Sequence, residues 1–146
     1  MSAENKNGHQ VLSLLLEAFN KDSNSVLSVF TPEAIVEYPY AKSIGAAPRL
    51  TMDEYRVYLD NILGSMPNIV FTGLSVYPLQ EKDSYWAEFH GETVIPATGA
   101  LNQQDYVVNF SVENGKISYY KEYWNVLPAL QLLMDREEAY RLIDKR

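Results

Sequence analysis

The fold is decided by residues 103–125, which read QQDYVVNFSVENGKISYYKEYWN. Apolar and polar residues alternate with a period of two on both sides of Asn114-Gly115, and this alternation is typical of β-strands. Asn-Gly is the strongest short hairpin signal, because both residues tolerate positive φ. The segment therefore predicts an antiparallel hairpin with strands near 103–113 and 116–125.

Two more segments with a period of two precede this hairpin, near 68–77 and 84–95, and Pro96–Gly99 supplies the turn before the third strand. A shorter strand is expected over Ala34–Tyr38, ended by Pro39. Strands of this length twist and bend, so we expect one face of the antiparallel sheet to be concave.

Helical spacing of apolar residues predicts the elements at the two ends of the chain. A first amphipathic helix is expected over residues 8–20. A short second helix around Val26–Phe30 is expected to stop at Thr31-Pro32, because proline cannot continue a helix. A C-terminal helix is expected over Leu127–Ile143.

Between these helices, Thr51-Met52-Asp53-Glu54 has the form of a capping box, in which the Thr and Glu side chains bind each other's backbone amides. The helix that it opens is expected to end at Gly64 and Pro67. One face of this helix carries apolar and aromatic residues: Tyr55, Tyr58, Leu59 and Ile62.

Helices followed by a meander of long strands give an α+β order, and the helices must cover one face of the curved antiparallel sheet. We expect a single domain over residues 1–146. Within it, residues 1–8 are expected to be flexible and residues 126–146 to form a C-terminal helical tail.

The composition limits the partners and the chemistry. A net charge of −7 argues against nucleic acid and against anionic membrane surfaces. The chain has no Cys and only His9 and His90, so thiolate chemistry and a multi-His metal site are excluded, and no cofactor is expected. Met1–Gln10 lacks the apolar core of a signal peptide, and no apolar run is long enough to span a bilayer. We expect a cytoplasmic protein.

Three segments are similar to a known family: TPEAIVEYP (31–39), YWAEFHG (85–91), and NGKI (114–117) followed by KEYWN (121–125). Together they resemble the SnoaL-like branch of the nuclear transport factor 2-like (cystatin-like) superfamily, over about residues 10–130. The resemblance implies an α+β cone with an interior pocket and a homodimer formed through the outer sheet face. The superfamily includes isomerases, cyclases, dehydratases and binding domains, so its fold does not determine the function.

Ketosteroid isomerase, a distant member of this superfamily, uses an Asp base with a Tyr and a protonated Asp as oxyanion donors. Along the resemblance, Tyr38 stands at the position of the base, Leu15 at that of the Tyr donor and Val108 at that of the Asp donor. All three chemical groups are missing, and a Tyr is a poor base near neutral pH. The resemblance therefore does not imply ketosteroid isomerase activity.

The phenazine biosynthesis A/B proteins are more similar along the last strand, where Glu122 matches a Glu that they use as an acid/base group. Tyr58 stands where those proteins have a His on the cap helix, and this removes a group that titrates near neutrality. The resemblance implies Glu122 as the catalytic residue.

The residues themselves give Glu122 a second argument. Alternation places Tyr120, Glu122 and Trp124 on one face of a strand, so on a concave face the carboxylate would lie between two aromatic rings. Desolvation there would raise its pKa towards neutrality. The alternative is an exposed Glu122 on the convex face, paired with a Lys.

The other strands are expected to complete the wall of the pocket. Apolar residues should face the cavity, which leaves Glu88 and His90 outward, with His90 at the surface or at the dimer face. The expected ligand-binding residues are Tyr38, Tyr58, Phe89, Tyr106, Phe110, Tyr120 and Trp124.

Three functions are compatible with this sequence. The first is an acid/base isomerase, cyclase or condensation enzyme that acts without a cofactor on a small hydrophobic or aromatic metabolite, with Glu122 transferring the proton. The second is a non-catalytic binding protein, a carrier or a sensor, that uses the same pocket. The third is a protein-interaction module whose pocket is filled by its own side chains.

Overall fold

The computed structural model describes residues 7–145, in which helices pack on one curved, open sheet of six strands. The expected α+β class is confirmed. The helices are α1 (Gly8–Ala18), α2 (Ser23–Leu27), α3 (Met52–Ile62), α4 (Val126–Leu133) and α5 (Arg136–Asp144). The strands are β1 (Phe30–Glu37), β2 (Arg49–Leu50), β3 (Val70–Pro78), β4 (Ser84–Val94), β5 (Leu101–Glu113) and β6 (Lys116–Trp124). None of the helices within 7–145 is long and apolar enough to cross a membrane.

The hairpin at Asn114-Gly115 is confirmed. β5 and β6 pair antiparallel, with Glu113 opposite Lys116. Asn114 and Gly115 have φ angles of 51° and 77°, and these positive values match the tight turn that the Asn-Gly pair predicts. The hairpin sets the register of β5 and β6, which lie at the middle of the strand order β2-β1-β6-β5-β4-β3.

The sheet is not antiparallel throughout. β1 pairs with β6 in parallel, with Val36 opposite Tyr120. β1 also begins at Phe30, so the expected helix around Val26–Phe30 ends earlier and Pro32 lies within a strand. The prediction was wrong there because the register shifts between Phe30 and Ile35, and an irregular strand tolerates a residue without an N–H.

The capping box of α3 is confirmed. The Thr51 hydroxyl accepts a hydrogen bond from the Glu54 amide at 3.3 Å, and the Glu54 carboxylate accepts one from the Thr51 amide at 2.9 Å. These bonds fix the start of the helix and hence the direction of its apolar face. Tyr55, Leu59 and Ile62 on that face are buried.

The apolar core lies between the helices and the inner face of the sheet. Its largest fully buried side chains come from helices α1, α2 and α3 and from strands β1, β5 and β6: Tyr55, Tyr120, Phe110, Leu12, Leu15, Leu59, Ile117, Val11, Val26, Val36 and Val108. Contacts of α1 with β3 and β5 and of α3 with β1 show that the helices cover this face, as expected.

The expected single C-terminal helix is two helices. Met134 is extended, with φ −140° and ψ 154°, and it separates α4 from α5. The Asp135 side chain then accepts a hydrogen bond from the Glu138 amide at 2.8 Å and caps the second helix. The prediction was wrong because apolar spacing continues across the break, while a helix cap at Asp135 requires an extended backbone.

The expected flexible segment 1–8 overlaps the described chain only at Asn7 and Gly8, and the rest of it lies outside the described residues. Asn7 caps α1, because its side chain accepts a hydrogen bond from the Gln10 amide at 2.9 Å. Gly8 begins the helix so close to Tyr85 that an added Cβ would lie 2.6 Å from the ring. The start of α1 is therefore packed directly against β4.

Candidate functional site

A cavity of about 80 Å³ lies between α3, α4 and the inner face of the sheet. A single water requires about 10–15 Å³ on this measure, so the interior is open rather than packed solid. Its wall is aromatic and aliphatic, with few polar groups: Phe19, Tyr38, Tyr55, Tyr58, Leu59, Ile62, Met66, Ile69, Phe71, Phe89, Asn102, Gln104, Tyr106, Glu122, Trp124, Ala129, Leu132 and Leu133.

Six of the eight site residues expected from the sequence line this cavity: Tyr38, Tyr58, Phe89, Tyr106, Glu122 and Trp124. The structure brings them together from α3, β4, β5, β6 and the residue that follows β1. Alternation along each strand, together with helical spacing in α3, directs these side chains to one interior space.

The other two expected residues, Phe110 and Tyr120, do not line the cavity. Both are fully buried in the core. Phe110 stacks on Tyr85 with ring centroids 5.3 Å apart, and Tyr120 packs edge-on against Phe30. They share the inner face with the lining residues, but this part of the face is filled by other side chains. These two expected ligand-binding residues therefore lie in the core and not in the cavity wall.

Glu122 is the one charged side chain among the cavity-lining residues that the structure describes. Tyr120 donates its hydroxyl hydrogen to Glu122 Oε1 at 2.9 Å. Burial raises the pKa of Glu122 to about 7, while the hydrogen bond from Tyr120 acts in the opposite direction. Desolvation dominates because the surroundings are aromatic and none of the described wall residues is a cation that could compensate the charge. Near neutral pH the carboxyl group is therefore divided between its acid and base forms.

Tyrosine hydroxyls surround this carboxylate. Burial raises the pKa values of Tyr38, Tyr55, Tyr58 and Tyr106, and the negative charge of Glu122 raises them further. Hydrogen bonding with Tyr38 partly offsets the rise for Tyr55 and Tyr58. These phenols stay protonated at neutral pH, so they can donate hydrogen bonds and cannot serve as bases.

Of the three positions aligned with the catalytic groups of ketosteroid isomerase, two lie in the apolar core and one lies in the cavity wall. Leu15 and Val108 are fully buried in the apolar core and offer no polar group to the cavity. Tyr38 lines the cavity with a raised pKa. The carboxyl group of this site is that of Glu122, which lies opposite Val108 in the β5–β6 register.

Sequence reasoning missed one side of the cavity. Ala129, Leu132 and Leu133 of α4 form part of the wall. Two buried amides on β5 hold this helix: Gln104 exchanges hydrogen bonds with the backbone of Asn125 at 2.7 and 2.8 Å, and Asn102 donates to the Pro128 carbonyl at 2.8 Å. The available signal was the pair Asn102 and Gln104, polar at inward positions of a strand.

Tyr55 was also missed as a site residue, although its place on the apolar face of α3 was predicted. It stacks on Tyr58 with ring centroids 6.2 Å apart, one helical turn away. The spacing of three residues between them was the signal that could have found it.

His90 is not among the cavity-lining residues. Its Nδ1 lies 2.7 Å from Asp105 Oδ1 and its Nε2 lies 2.8 Å from Glu92 Oε2. Hydrogen bonding to Asp105, and then to Glu92, raises the pKa of His90. Across residues 7–145, no group of His, Asp and Glu side chains has an arrangement that could hold a metal ion.

Comparison with known proteins gives a consistent result. The model of the SnoaL-like domain family matches residues 13–120. An uncharacterised PhzA/B-like protein of Pseudomonas aeruginosa is 27% identical over 128 residues, covering 85% of this chain and 87% of that protein.

Solved structures agree on the fold. The crystal structure of a presumed isomerase from Bacillus subtilis matches with a TM-score of 0.74 and 24% identity, covering 87% of this chain and 95% of that one. A phenazine biosynthesis-related protein of Pseudomonas aeruginosa matches with a TM-score of 0.65 and 16% identity, covering 86% and 90%. At these identities the structural likeness shows the fold alone.

Proposed function

This chain belongs to the SnoaL-like domain family, and we propose that it is a small-molecule pocket protein in which Glu122 transfers protons as a general acid and base. The reaction classes that fit are isomerisation, cyclisation and condensation, since each of these can proceed by moving protons without a redox step. The presumed isomerase assignment of one structural neighbour is compatible with this proposal.

One observation carries the proposal: a single carboxyl group, with a pKa of about 7, lines an otherwise uncharged aromatic cavity. General acid/base catalysis is most effective when the pKa of the catalytic group lies near the working pH. An ordinary surface glutamate, with a pKa near 4.5, would be almost entirely ionised there and a weak base.

The surrounding side chains have separate roles in this proposal. Tyr38 and Tyr58 donate hydrogen bonds to polar atoms of the substrate, because their raised pKa values keep them protonated. Phe89, Tyr106 and Trp124 form apolar walls that exclude water and hold a flat or branched molecule. Tyr120 is a positioning residue, since its hydroxyl hydrogen fixes Glu122 Oε1 from the core.

The open interior counts against the protein-interaction alternative, which requires a cavity filled by its own side chains. The carrier alternative uses the same cavity and differs only in having no reaction. Its distinguishing result is binding without turnover.

Glu122→Gln tests the proposal, with Glu33→Gln as the matched control. The control removes one carboxylate from an exposed position on β1, outside the cavity. Each protein is incubated with a fractionated small-metabolite mixture, and untargeted mass spectrometry follows substrate loss and the appearance of isomeric or dehydrated products. We expect Glu122→Gln to slow this conversion by about 10²–10⁴-fold and Glu33→Gln to leave it unchanged.

Equal conversion by Glu122→Gln and the unmodified protein would overturn the proposed role. Retained binding with no conversion by either protein would assign the cavity to a carrier or sensor. Native mass spectrometry of the freshly purified protein identifies such a bound molecule directly.

A further inference from the structure

We propose that the ligand of this cavity is a small amine, bound as its protonated form with the ammonium group facing Glu122 and the aromatic rings around it. The inference rests on the proposed function, because it assigns the substrate class of the same site. It narrows the expected small hydrophobic or aromatic molecule to one that carries a positive charge.

The first support is an uncompensated charge. None of the cavity-lining residues described in the structure is Lys, Arg or His, so the wall contains no cation to pair with Glu122. The neighbouring cation in sequence, Lys121, points away on the alternate face, where its Nζ lies 5.7 Å from the centroid of the Tyr123 ring. A buried carboxylate without a counter-ion is costly, and a ligand ammonium group supplies the missing charge.

The second support is unused hydrogen-bonding capacity. A carboxylate offers about four lone-pair positions, and Glu122 uses one of them, at Oε1, to accept a hydrogen bond from Tyr120. Tyr120 approaches from the filled core, whereas Glu122 itself lines the cavity. Among the described residues, Tyr120 is the hydrogen-bond donor to this carboxylate, so its remaining acceptor positions are available to a ligand in the cavity. An ammonium group provides up to three donors for them.

The third support is the aromatic wall beside the carboxylate. Tyr38 lies 5.6 Å from Tyr58 and 6.4 Å from Trp124, measured between ring centroids, and all three residues line the cavity. Ring faces attract ammonium groups within about 6 Å of the centroid, most strongly in water-poor sites. The aliphatic or aryl part of the ligand would pack against Phe71 and Phe89, whose ring centroids are 5.7 Å apart.

The same features disfavour anionic ligands. The two side-chain amides of the wall are largely occupied: Asn102 donates to the Pro128 carbonyl and to the Gln131 side chain, and Gln104 donates to the Asn125 carbonyl, which leaves one Gln104 N–H for a carboxylate. The net charge of −7 adds a long-range repulsion of anions. The donors left for an anionic group are phenol hydroxyls and one N–H of Gln104, and the charge of Glu122 would oppose its binding.

The test compares three probes of similar shape and different charge: isobutylamine, isobutyl alcohol and isobutyrate. Dissociation constants are measured by NMR chemical-shift titration at pH 8.5, where Glu122 is ionised and the amine is protonated. We expect the amine to bind at least about tenfold more tightly than the alcohol, and isobutyrate to bind most weakly. This preference should disappear in Glu122→Gln and persist in Glu33→Gln.

Acidification gives an independent readout on the unmodified protein. At pH 5.5 Glu122 is protonated, so the preference for the amine over the alcohol should shrink towards unity. The groups that face Glu122 are Tyr55 and Tyr58 from α3, Tyr38 after β1, Tyr106 from β5 and Tyr120 from β6, and α4 contributes only apolar residues. These tyrosines have raised pKa values and stay neutral over this range, so the change reports on Glu122.

Equal affinity for the amine and the alcohol, preferential binding of isobutyrate, or a preference that survives in Glu122→Gln would overturn the inference. Failure of all three probes to bind would overturn it as well. The proposed acid/base role stands or falls separately on the conversion experiment, because Glu122 could transfer protons on a neutral substrate without any preference for cations.

Discussion

Glu122 and the outer cluster, which we define as His90, Glu92 and Asp105, place carboxyl groups on the same sheet in opposite environments. Inside, burial raises the pKa of Glu122 to about 7. Outside, hydrogen bonds from Gln103 and then His90 lower the pKa of Glu92. The Asp105 side chain of this cluster is 83% exposed, whereas Glu122 lies among aromatic rings in the cavity.

The contrast shows that the position of a carboxylate, and not its identity, determines its chemistry. In the outer cluster, His90 and its two carboxylate partners stabilise each other's charged forms. Water screens the attraction between them, so the cluster is an ordinary surface ion pair. At Glu122, burial removes water and the described cavity wall supplies no cation, so the neutral form is favoured. The first arrangement suits surface solvation, and the second suits proton transfer or recognition of a cation.

The largest expected effect is a change in the pH dependence of the unfolding free energy in Glu122→Gln. The pKa of Glu122 rises from 4.5 to about 7 on folding, so the folded state holds a proton that the unfolded state releases first. Stability should therefore fall as pH rises between about 4.5 and 7, by about 3 kcal/mol from this group. Because Gln resembles the neutral form, the variant should be more stable than the unmodified protein at pH 8 by up to this amount. Urea unfolding at pH 4.5 and pH 8 measures the difference.

At pH 4.5 the two proteins should differ little, since Glu122 is protonated in the folded protein. Glu33→Gln, which removes an exposed carboxylate, should follow the unmodified protein at both pH values. A constant difference between Glu122→Gln and the unmodified protein at both pH values would show that the carboxylate is not desolvated on folding.

A smaller effect is expected for Tyr120→Phe, which removes the hydrogen bond that favours the charged form of Glu122. The pKa of Glu122 should rise further above 7, with a loss of about 1 kcal/mol in unfolding free energy at pH 8. A ¹³C NMR titration of the Glu122 carboxyl group measures the shift directly.

The matched control for this titration is Tyr119→Phe. It removes a hydroxyl that is hydrogen-bonded to a different carboxylate, Glu37, and it should leave the Glu122 titration unchanged. An unchanged Glu122 pKa in Tyr120→Phe would mean that the hydrogen bond has no influence on the site.

The smallest effect is expected in the outer cluster, for His90→Gln. The pKa of His90 is raised above 6.5 by Asp105 and then Glu92, so its stabilising contribution is present below 6.5 and is lost as pH rises through the folded-state pKa. The variant should lose less than about 1 kcal/mol at pH 5.5 and nothing at pH 9. Thermal unfolding at low and high salt measures this, and the loss at pH 5.5 should shrink at high salt. A loss that is equal at both pH values would contradict the ion-pair explanation.

Local sequence signals predicted much of the scaffold of the site. Asn114-Gly115 predicted the hairpin, and Thr51 with Glu54 predicted the start of α3. Both signals depend on interactions within four residues, so they do not require contacts with distant parts of the chain. The alternation that joins Glu122 to Trp124 likewise placed both side chains on the inner face, where they line the cavity.

Sequence reasoning was less successful where long-range packing determines which side chains are covered and where an element begins or ends. Phe110 and Tyr120 have the same alternation phase as lining residues, yet they are covered by neighbouring side chains. Thr31-Pro32 was predicted to end a helix, yet Pro32 lies within β1 because that strand pairs irregularly with β6. The break at Met134 between α4 and α5 was not visible in the apolar spacing.

The sequence by itself determined the α+β order, the family resemblance and the presence of a carboxylate on an aromatic strand face, because each of these depends on local spacing. Only the tertiary structure decided which part of that face is hollow, that α4 forms part of its wall, and that Glu122 meets no cation there among residues 7–145. The physical reason is that the pKa of a group depends on everything packed around it, and those neighbours come from elements that are far apart in the chain.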